Sequence, residues 1–446
     1  MVKRKIVIVG AGGRDLHNFN MVFRNDPEVE VVAFLFTQIP GVDFRRCPSI
    51  FAGEKYPNGI PIYPLDMLPN IVKSFAVDEV ILSLSDLTYK ELGNLISYII
   101  STGCSFKILG LRDTMLDSIK PTLAITATKT GAGKSTVSRA FVKELVDRKL
   151  KVAVVRHPMV YGDIEQNLVQ IFRSLGDLNR YSLTVEEREE YEPHLELGAV
   201  VLAGVDYRKI LVEAERIGDV ILWDGGNNDW PFFRPWYWVV VTDAIRPGIE
   251  VNAFPGEVNL RLADVVIITK VGIAKSENIK IIIDNIKKVN PSAEIVKADM
   301  EVKVDNPNLV TGKKVVVIED APTVTHGGTP YGAGYIAAKK YGAEVVDPRK
   351  YAIGIFKQIY EEFHHIGPVV PSLGYTEKQL KDLETMLNNI EADTIILATP
   401  AKIEKLIKIN KPITRVSWEL TIVEGPSIKD LVNEFLSRKE PKTYNL

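Results

Sequence analysis

Cysteine is scarce in this sequence. Its 446 residues include only Cys47 and Cys104. Two are too few for a disulfide framework or a cysteine-based metal site, which fits a reducing, cytoplasmic setting. No run of ~18 apolar residues is present, so no membrane-spanning helix is expected. The start lacks the separate apolar core and small-residue cleavage site of a secretory signal, and runs straight into Lys5-Ile6-Val7-Ile8-Val9. An excess of either charge is also missing. The net charge of −2 argues against a nucleic-acid partner. Low-complexity tracts and internal repeats are absent. Hydrophobic residues make up 46%, enough for several cores, and at ~150 residues per domain the length allows about three domains. The chain is rich in Ile, Val, Lys and Glu and poor in Cys and Gln, a bias common in thermophile proteins.

Three segments each begin with an apolar strand and a Gly-containing turn: KIVIVGAGGRD (Lys5–Asp15), TLAITATKTGAGKST (Thr122–Thr136) and KKVVVIEDAPTVTHGG (Lys313–Gly328). Continuous apolar strands alternating with helical periods predict parallel α/β architecture. The expected fold is multi-domain α/β. A central P-loop NTPase sheet (residues 119–312) is flanked by Rossmann-like domains at 1–118 and 313–446. Strands are expected at Val29–Phe36, Glu79–Ser83 and Lys107–Leu109, then at Leu123–Thr126, Lys151–Val155, Val220–Trp223, Tyr237–Val241, Val265–Thr269 and Glu294–Lys297. Val315–Ile318, Glu344–Val346 and Thr394–Ala398 complete the set. Helices are expected at Tyr89–Ser101, Ser138–Asp147 and Glu377–Asn389. The charged stretch Pro158–Tyr191 reads as an inserted helical region or lid.

The strongest motif is Thr128-Lys129-Thr130-Gly131-Ala132-Gly133-Lys134-Ser135-Thr136, which fits G-x-x-x-x-G-K-[ST] with Thr128 in place of the first glycine. Gly131 and Gly133 let the backbone approach phosphates. Successive N–H groups and the helix N-terminus, with Ala132 and Thr130 among them, attract an anion. Lys134 reaches the β- and γ-phosphates, Ser135 offers a hydroxyl to Mg2+, and Thr136 supports the α-phosphate side. ATP or GTP with Mg2+ is therefore the expected ligand set. Lys129 resembles the extra lysine of the deviant Walker A motif, found in the class of MinD, ParA, the nitrogenase iron protein and dethiobiotin synthetase. That resemblance implies a lysine reaching phosphates across a homodimer; the alternative is an exposed loop lysine.

Such a loop needs an acid at the end of a neighbouring strand. Val220-Ile221-Leu222-Trp223-Asp224-Gly225-Gly226 supplies one: Asp224 for Mg2+, with the Gly226 N–H for the γ-phosphate. Asp243 is either a second metal ligand or a turn former, with the turn favoured. By resemblance to this P-loop class, Asp163 touches Mg2+ or positions water. His157 is a phosphate or substrate ligand, or a packed loop residue. Thr269-Lys270-Val271-Gly272 resembles the base-recognition motif [NT]KxD. Gly272 replaces its aspartate, which leaves GTP against ATP open.

Two strand ends offer acceptor chemistry. Gly12, Arg14, Asp15 and His17 lie in a weak G-x-G-x-x-G fingerprint, where Asp15 stands for the third glycine; they suit a carboxylate or phosphate, or a plain scaffold turn. Glu319, Asp320, Thr323, Thr325 and His326 follow the strand that opens the third segment. Glu319 or His326 suits a general base, and the threonines suit phosphate. Together, GAGGRDLHNFN, the deviant P-loop, FPGEVNLRLADVV and EDAPTVTHGG resemble, over nearly the full length, predicted GTPases described as cyclic 2,3-diphosphoglycerate synthetase-like. The resemblance implies nucleotide-driven phosphorylation or cyclisation of a small anionic metabolite, by its label 2,3-diphosphoglycerate. The other reading is a GTPase switch or metallochaperone acting on a protein partner, although the chain lacks the Cys- or His-rich ligand sets such proteins use.

Overall fold

The computed structural model describes residues 3–37, 46–157, 164–181, 183–226, 229–325, 327–373, 376–399 and 402–441. The protein is mixed α/β and built on two large sheets. In the first, the order is Arg46–Cys47, Ile60–Pro64, Val29–Phe36, Arg4–Gly10, Glu79–Leu82 and Ser105–Lys107, parallel except for the first pair. Strand Arg4–Gly10 shows why an apolar run is needed. Ile6 and Ile8 join one core cluster while Val7 and Val9 join another on the opposite face, so both faces are covered.

The second sheet places the P-loop strand Thr122–Ala127 between Val220–Trp223 and Tyr237–Asp243. Val152–Arg156, Val200–Ala203 and Gln170–Phe172 continue on one side; Val265–Thr269 and Glu294–Val304 continue on the other. Glu294–Val304 then pairs antiparallel with Ile413–Glu424, which runs parallel to Thr394–Ala398, beyond which lies Lys314–Glu319. One sheet thus passes from the P-loop region into the C-terminal region. Its bridge is a pair of strands, 11 and 12 residues long.

The P-loop helix Lys134–Asp147 presents Val137, Phe141, Val142 and Leu145 to the core, the i, i+4 spacing of one helix face. The charged stretch after residue 158 holds a helix, Val185–Glu196, opened by a Thr184–Glu187 capping box. Its Tyr191 and Leu195 pack with Phe141 and Phe172, so this helix is part of the core rather than a lid. Among the described residues no helix is long and apolar enough to cross a membrane.

Candidate nucleotide and acceptor site

The P-loop is braced from two neighbouring strands and the turns that follow them. Thr128 N donates to Val241 O at 2.9 Å, and its hydroxyl to the Thr242 hydroxyl at 3.0 Å. The Thr269 hydroxyl donates to Ala132 O at 2.6 Å, Lys270 Nζ to Gly131 O at 2.6 Å, and Arg246 to Thr130 O at 2.9 Å. Thr269 and Lys270, whose pattern points to the base, therefore fix the loop backbone here. Gly131 and Gly133 take φ of 84° and 98°, a region that favours glycine. Asp243 accepts from Ile245 N and Arg246 N and pairs with Arg246 at 2.5 Å, so it forms the turn.

At the end of the adjacent strand, Asp224 is fully buried and collects three partners. Lys134 Nζ lies 2.5 Å from Oδ1; Arg156 lies 2.8 Å and His194 Nε2 2.9 Å from Oδ2. Burial favours the neutral acid, but Arg156, Lys134 and His194 outweigh it and hold the carboxyl well below the usual range. Burial also works against the charge on Arg156, which Asp224 and Glu190 restore. Lys134 is pushed below the usual lysine value by burial, against the pull of Asp224. A buried carboxylate with a lysine and an arginine beside a phosphate-binding loop concentrates charge where a γ-phosphate would lie.

Lys129 turns toward the first sheet. Its Nζ pairs with the Asp86 carboxylate at 3.1 Å, and Thr130 donates to the same carboxylate through N at 3.2 Å and Oγ1 at 2.8 Å. Within the single chain, Lys129 therefore pairs with the first sheet. The Lys129–Asp86 pair ties the P-loop to the first sheet, so Lys129→Ala is expected to loosen the loop and lower nucleotide turnover by about tenfold. An unaltered rate in a steady-state assay would take Lys129 out of the chemistry.

The C-terminal region closes on the other side of the loop. Trp418 Nε1 donates to the Thr136 hydroxyl at 2.8 Å, and Arg139 to the same hydroxyl at 3.2 Å. Glu319, one of the sequence's two candidate bases, is 1% exposed and accepts from Gly334 N at 3.2 Å and Tyr335 N at 2.8 Å. Burial raises it to about 7, against those N–H groups. Its carboxylate anchors the turn into helix Ala333–Lys340, a structural task rather than a base's exposed position. Asp320 accepts from Thr323 N at 3.2 Å and Thr323 Oγ1 at 2.5 Å, and Thr325 Oγ1 donates to Ala321 O at 2.8 Å, so these groups hold their own turn. Beside them Glu189, from the core helix, accepts from Ser372 at 2.8 Å and from Thr399. Burial, then Asp320, raises it well above the usual range.

On the N-terminal side, Gly12 N donates to Asp15 Oδ1 at 3.0 Å, and His17 Nε2 to Thr114 O at 2.6 Å. The Arg14 guanidinium stacks 3.4 Å from the Trp230 ring centre, 3.2 Å from Ser85 Oγ and 3.6 Å from Asp229. His157 abuts both glycine turns: a Cβ on Gly13 would lie 2.8 Å from its Nδ1, and one on Gly226 3.2 Å from its Cβ. The fingerprint of the first segment and the Asp224 turn therefore meet at His157.

Asp163 and His326 lie outside the described residues. Arg156, His194, Asp86, Ser85 and Asp229 join the site without belonging to any recognisable sequence motif. Arg156 ends an apolar strand immediately before His157, a visible signal of a charge placed at a strand's carboxyl end.

The braced loop, its lysine and the buried acid on the adjacent strand define a P-loop nucleotide-dependent enzyme. The family model for cyclic 2,3-diphosphoglycerate synthetase, P-loop domain, matches residues 197–298. An arginine synthetase, ArcE, of Thermococcus kodakarensis is 48% identical over 439 residues, 98% of this chain and 98% of that protein. A cyclic 2,3-diphosphoglycerate synthetase of Methanothermus fervidus is 34% identical over 131 residues, 29% of this chain and 27% of that protein. Among solved structures, LpxK from Aquifex aeolicus in complex with ATP covers 83% of this chain and 99% of its own at 11% identity and TM-score 0.39, too distant to bear on function. The chain belongs to the family of the Thermococcus arginine synthetase, among the P-loop synthetases similar to cyclic 2,3-diphosphoglycerate synthetase.

Proposed function

We propose that this protein uses a nucleoside triphosphate, ATP or GTP, to convert a ureido amino acid and ammonia into arginine. The full-length similarity to a protein named arginine synthetase carries this reading, because it spans all three segments together. Guanidinium formation poses a specific problem: the ureido oxygen is a poor leaving group. Attack of that oxygen on the γ-phosphorus forms an O–P bond and breaks the bond to the nucleoside diphosphate. Ammonia then adds at the activated carbon, the C–O bond breaks, phosphate leaves, and the nitrogen loses its extra proton.

Lys134 and Arg156 neutralise charge on the transferring phosphoryl group, and His194 holds Asp224 in place. Ser135, exposed at the helix start, would offer a hydroxyl to Mg2+; Asp224, whose oxygens face Lys134, Arg156 and His194, would reach the ion through a bound water, and the ion would offset phosphate charge. Thr128 to Thr136 wrap the phosphates, with Thr269 and Lys270 holding the loop's shape and Gly226 beside the γ-phosphate.

The second reading is cyclisation of 2,3-diphosphoglycerate, supported by the match at 197–298. One assay separates them: nucleoside diphosphate release with ATP or GTP and Mg2+, in the presence of either L-citrulline with ammonium or 2,3-diphosphoglycerate. Arginine in one-to-one ratio with diphosphate is the expected result. A cyclic diphosphate product, with no arginine, would replace the first reading by the second.

A further inference from the structure

We infer that the buried polar cluster where the first sheet meets the Asp224 turn is the seat of the acceptor's amino-acid end, with Arg14 taking the α-carboxylate and Asp229 the α-ammonium. The inference rests on the proposed arginine-forming reaction for its choice of amino acid.

The first observation is unmet hydrogen-bonding capacity. Arg14 is 3% exposed, yet its Nε and NH2 have no partner among the described residues. Asp15 Oδ2, His17 Nδ1 and Asn18 Oδ1 are likewise buried without a hydrogen bond, and His157 Nε2 faces only Asp229 Oδ2 at 3.5 Å. Buried polar groups in folded proteins are nearly all satisfied, so such a concentration within two short segments marks a place for a polar ligand and its water.

The second observation is the fork geometry. Ser85 and Asp229 sit at one end of the Arg14 guanidinium, and Trp230 lies against its face at 3.4 Å, which fixes the plane. The Nε and NH2 edge is left, and these two parallel donors match the two oxygens of a carboxylate.

Charge balance is the third. The Arg14 guanidinium pairs with Asp229, a second carboxyl, Asp15, is its neighbour in the chain, and burial keeps His17 and His157 neutral. Burial lifts Asp229 to about 6 against Arg14 and Ser85, and lifts Asp15 to about 7 against its backbone N–H bonds. A cluster whose guanidinium is matched by an adjoining carboxyl suits a zwitterion better than a polyanion such as 2,3-diphosphoglycerate. The cluster also adjoins the phosphate chemistry, since His157 touches the turn that follows Asp224 and feels the charge of Lys134.

Titration calorimetry on the full chain, with L-arginine and with agmatine, its analogue lacking the carboxylate, tests this. The protein is expected to bind L-arginine about tenfold or more tightly than agmatine, and Arg14→Gln to erase that preference while nucleotide binding stays unchanged. Ser85→Ala, a smaller change, is expected to narrow the preference and serves where Arg14→Gln does not fold. A preference retained in both variants would overturn the site but leave the arginine-forming reaction standing. Failure of the unmodified protein to bind either L-arginine or L-citrulline would overturn both. Binding of 2,3-diphosphoglycerate that weakens in Arg14→Gln would overturn the zwitterion assignment.

Discussion

Lys134→Ala is expected to lower nucleotide turnover by about 10³-fold or more, with a much smaller effect on folding. The lysine is the first residue of the P-loop helix and the only ammonium in contact with Asp224 among the described residues. Its loss removes the donor that follows the γ-phosphate from ground state to transition state. The effect should therefore fall on kcat as well as on nucleotide affinity. Single-turnover measurement at saturating nucleotide isolates the chemical step. A variant that keeps its rate there would show that the phosphate site lies elsewhere.

Asp224→Asn is expected to damage both activity and stability. The substitution leaves Arg156 and Lys134 buried around a neutral amide. Breaking a buried ion network by removing one partner costs about 3–5 kcal/mol. The pH dependence follows from the sign of the shift. A carboxyl whose folded pKa lies below its unfolded value contributes stability above the unfolded value, and that contribution fades as the pH falls below about 4. The natural protein should lose stability through that acid range more steeply than the Asn variant. Urea titrations at pH 7 and in the acid range give both numbers. Equal stability of the two proteins at pH 7 would contradict the network's role.

The strands most legible in the sequence are those buried on both faces. Val220–Trp223, Val265–Thr269 and Thr394–Ala398 end where their apolar runs end, and helices Tyr89–Ser101 and Glu377–Asn389 end where their amphipathic periods end. Ile413–Glu424 is harder to read. It alternates apolar and polar residues over its second half, exposes one face, and finds its partner in Glu294–Val304 more than 100 residues earlier. Its pairing is what joins the P-loop sheet to the C-terminal strands. Local pattern carries no information about such long-range pairing.

The site divides in the same way. The P-loop and Asp224 are contiguous motifs, so spacing exposes them. The Asp224 network takes Arg156 and His194 from separate segments, and the Lys129 contact takes Asp86 from the first sheet. Nothing local links these residues. The polar loop after Lys314–Glu319 shows the reverse error, since Glu319, Asp320, Thr323 and Thr325 look reactive in sequence and spend their hydrogen bonds on turns and on Glu189. A dense polar loop and a catalytic loop share a composition and differ in which groups remain unpartnered.

Arginine formation by this route requires phosphoryl activation of a ureido oxygen. Its most direct test is to supply L-citrulline labelled with 18O in the ureido group, with ammonium, Mg2+ and nucleoside triphosphate, and to follow the label by mass spectrometry. Each arginine formed is expected to leave one 18O in inorganic phosphate, because the C–O bond breaks with the oxygen still on phosphorus. Arginine formed with unlabelled phosphate, or nucleotide cleaved with no arginine and no transfer of label, would contradict it.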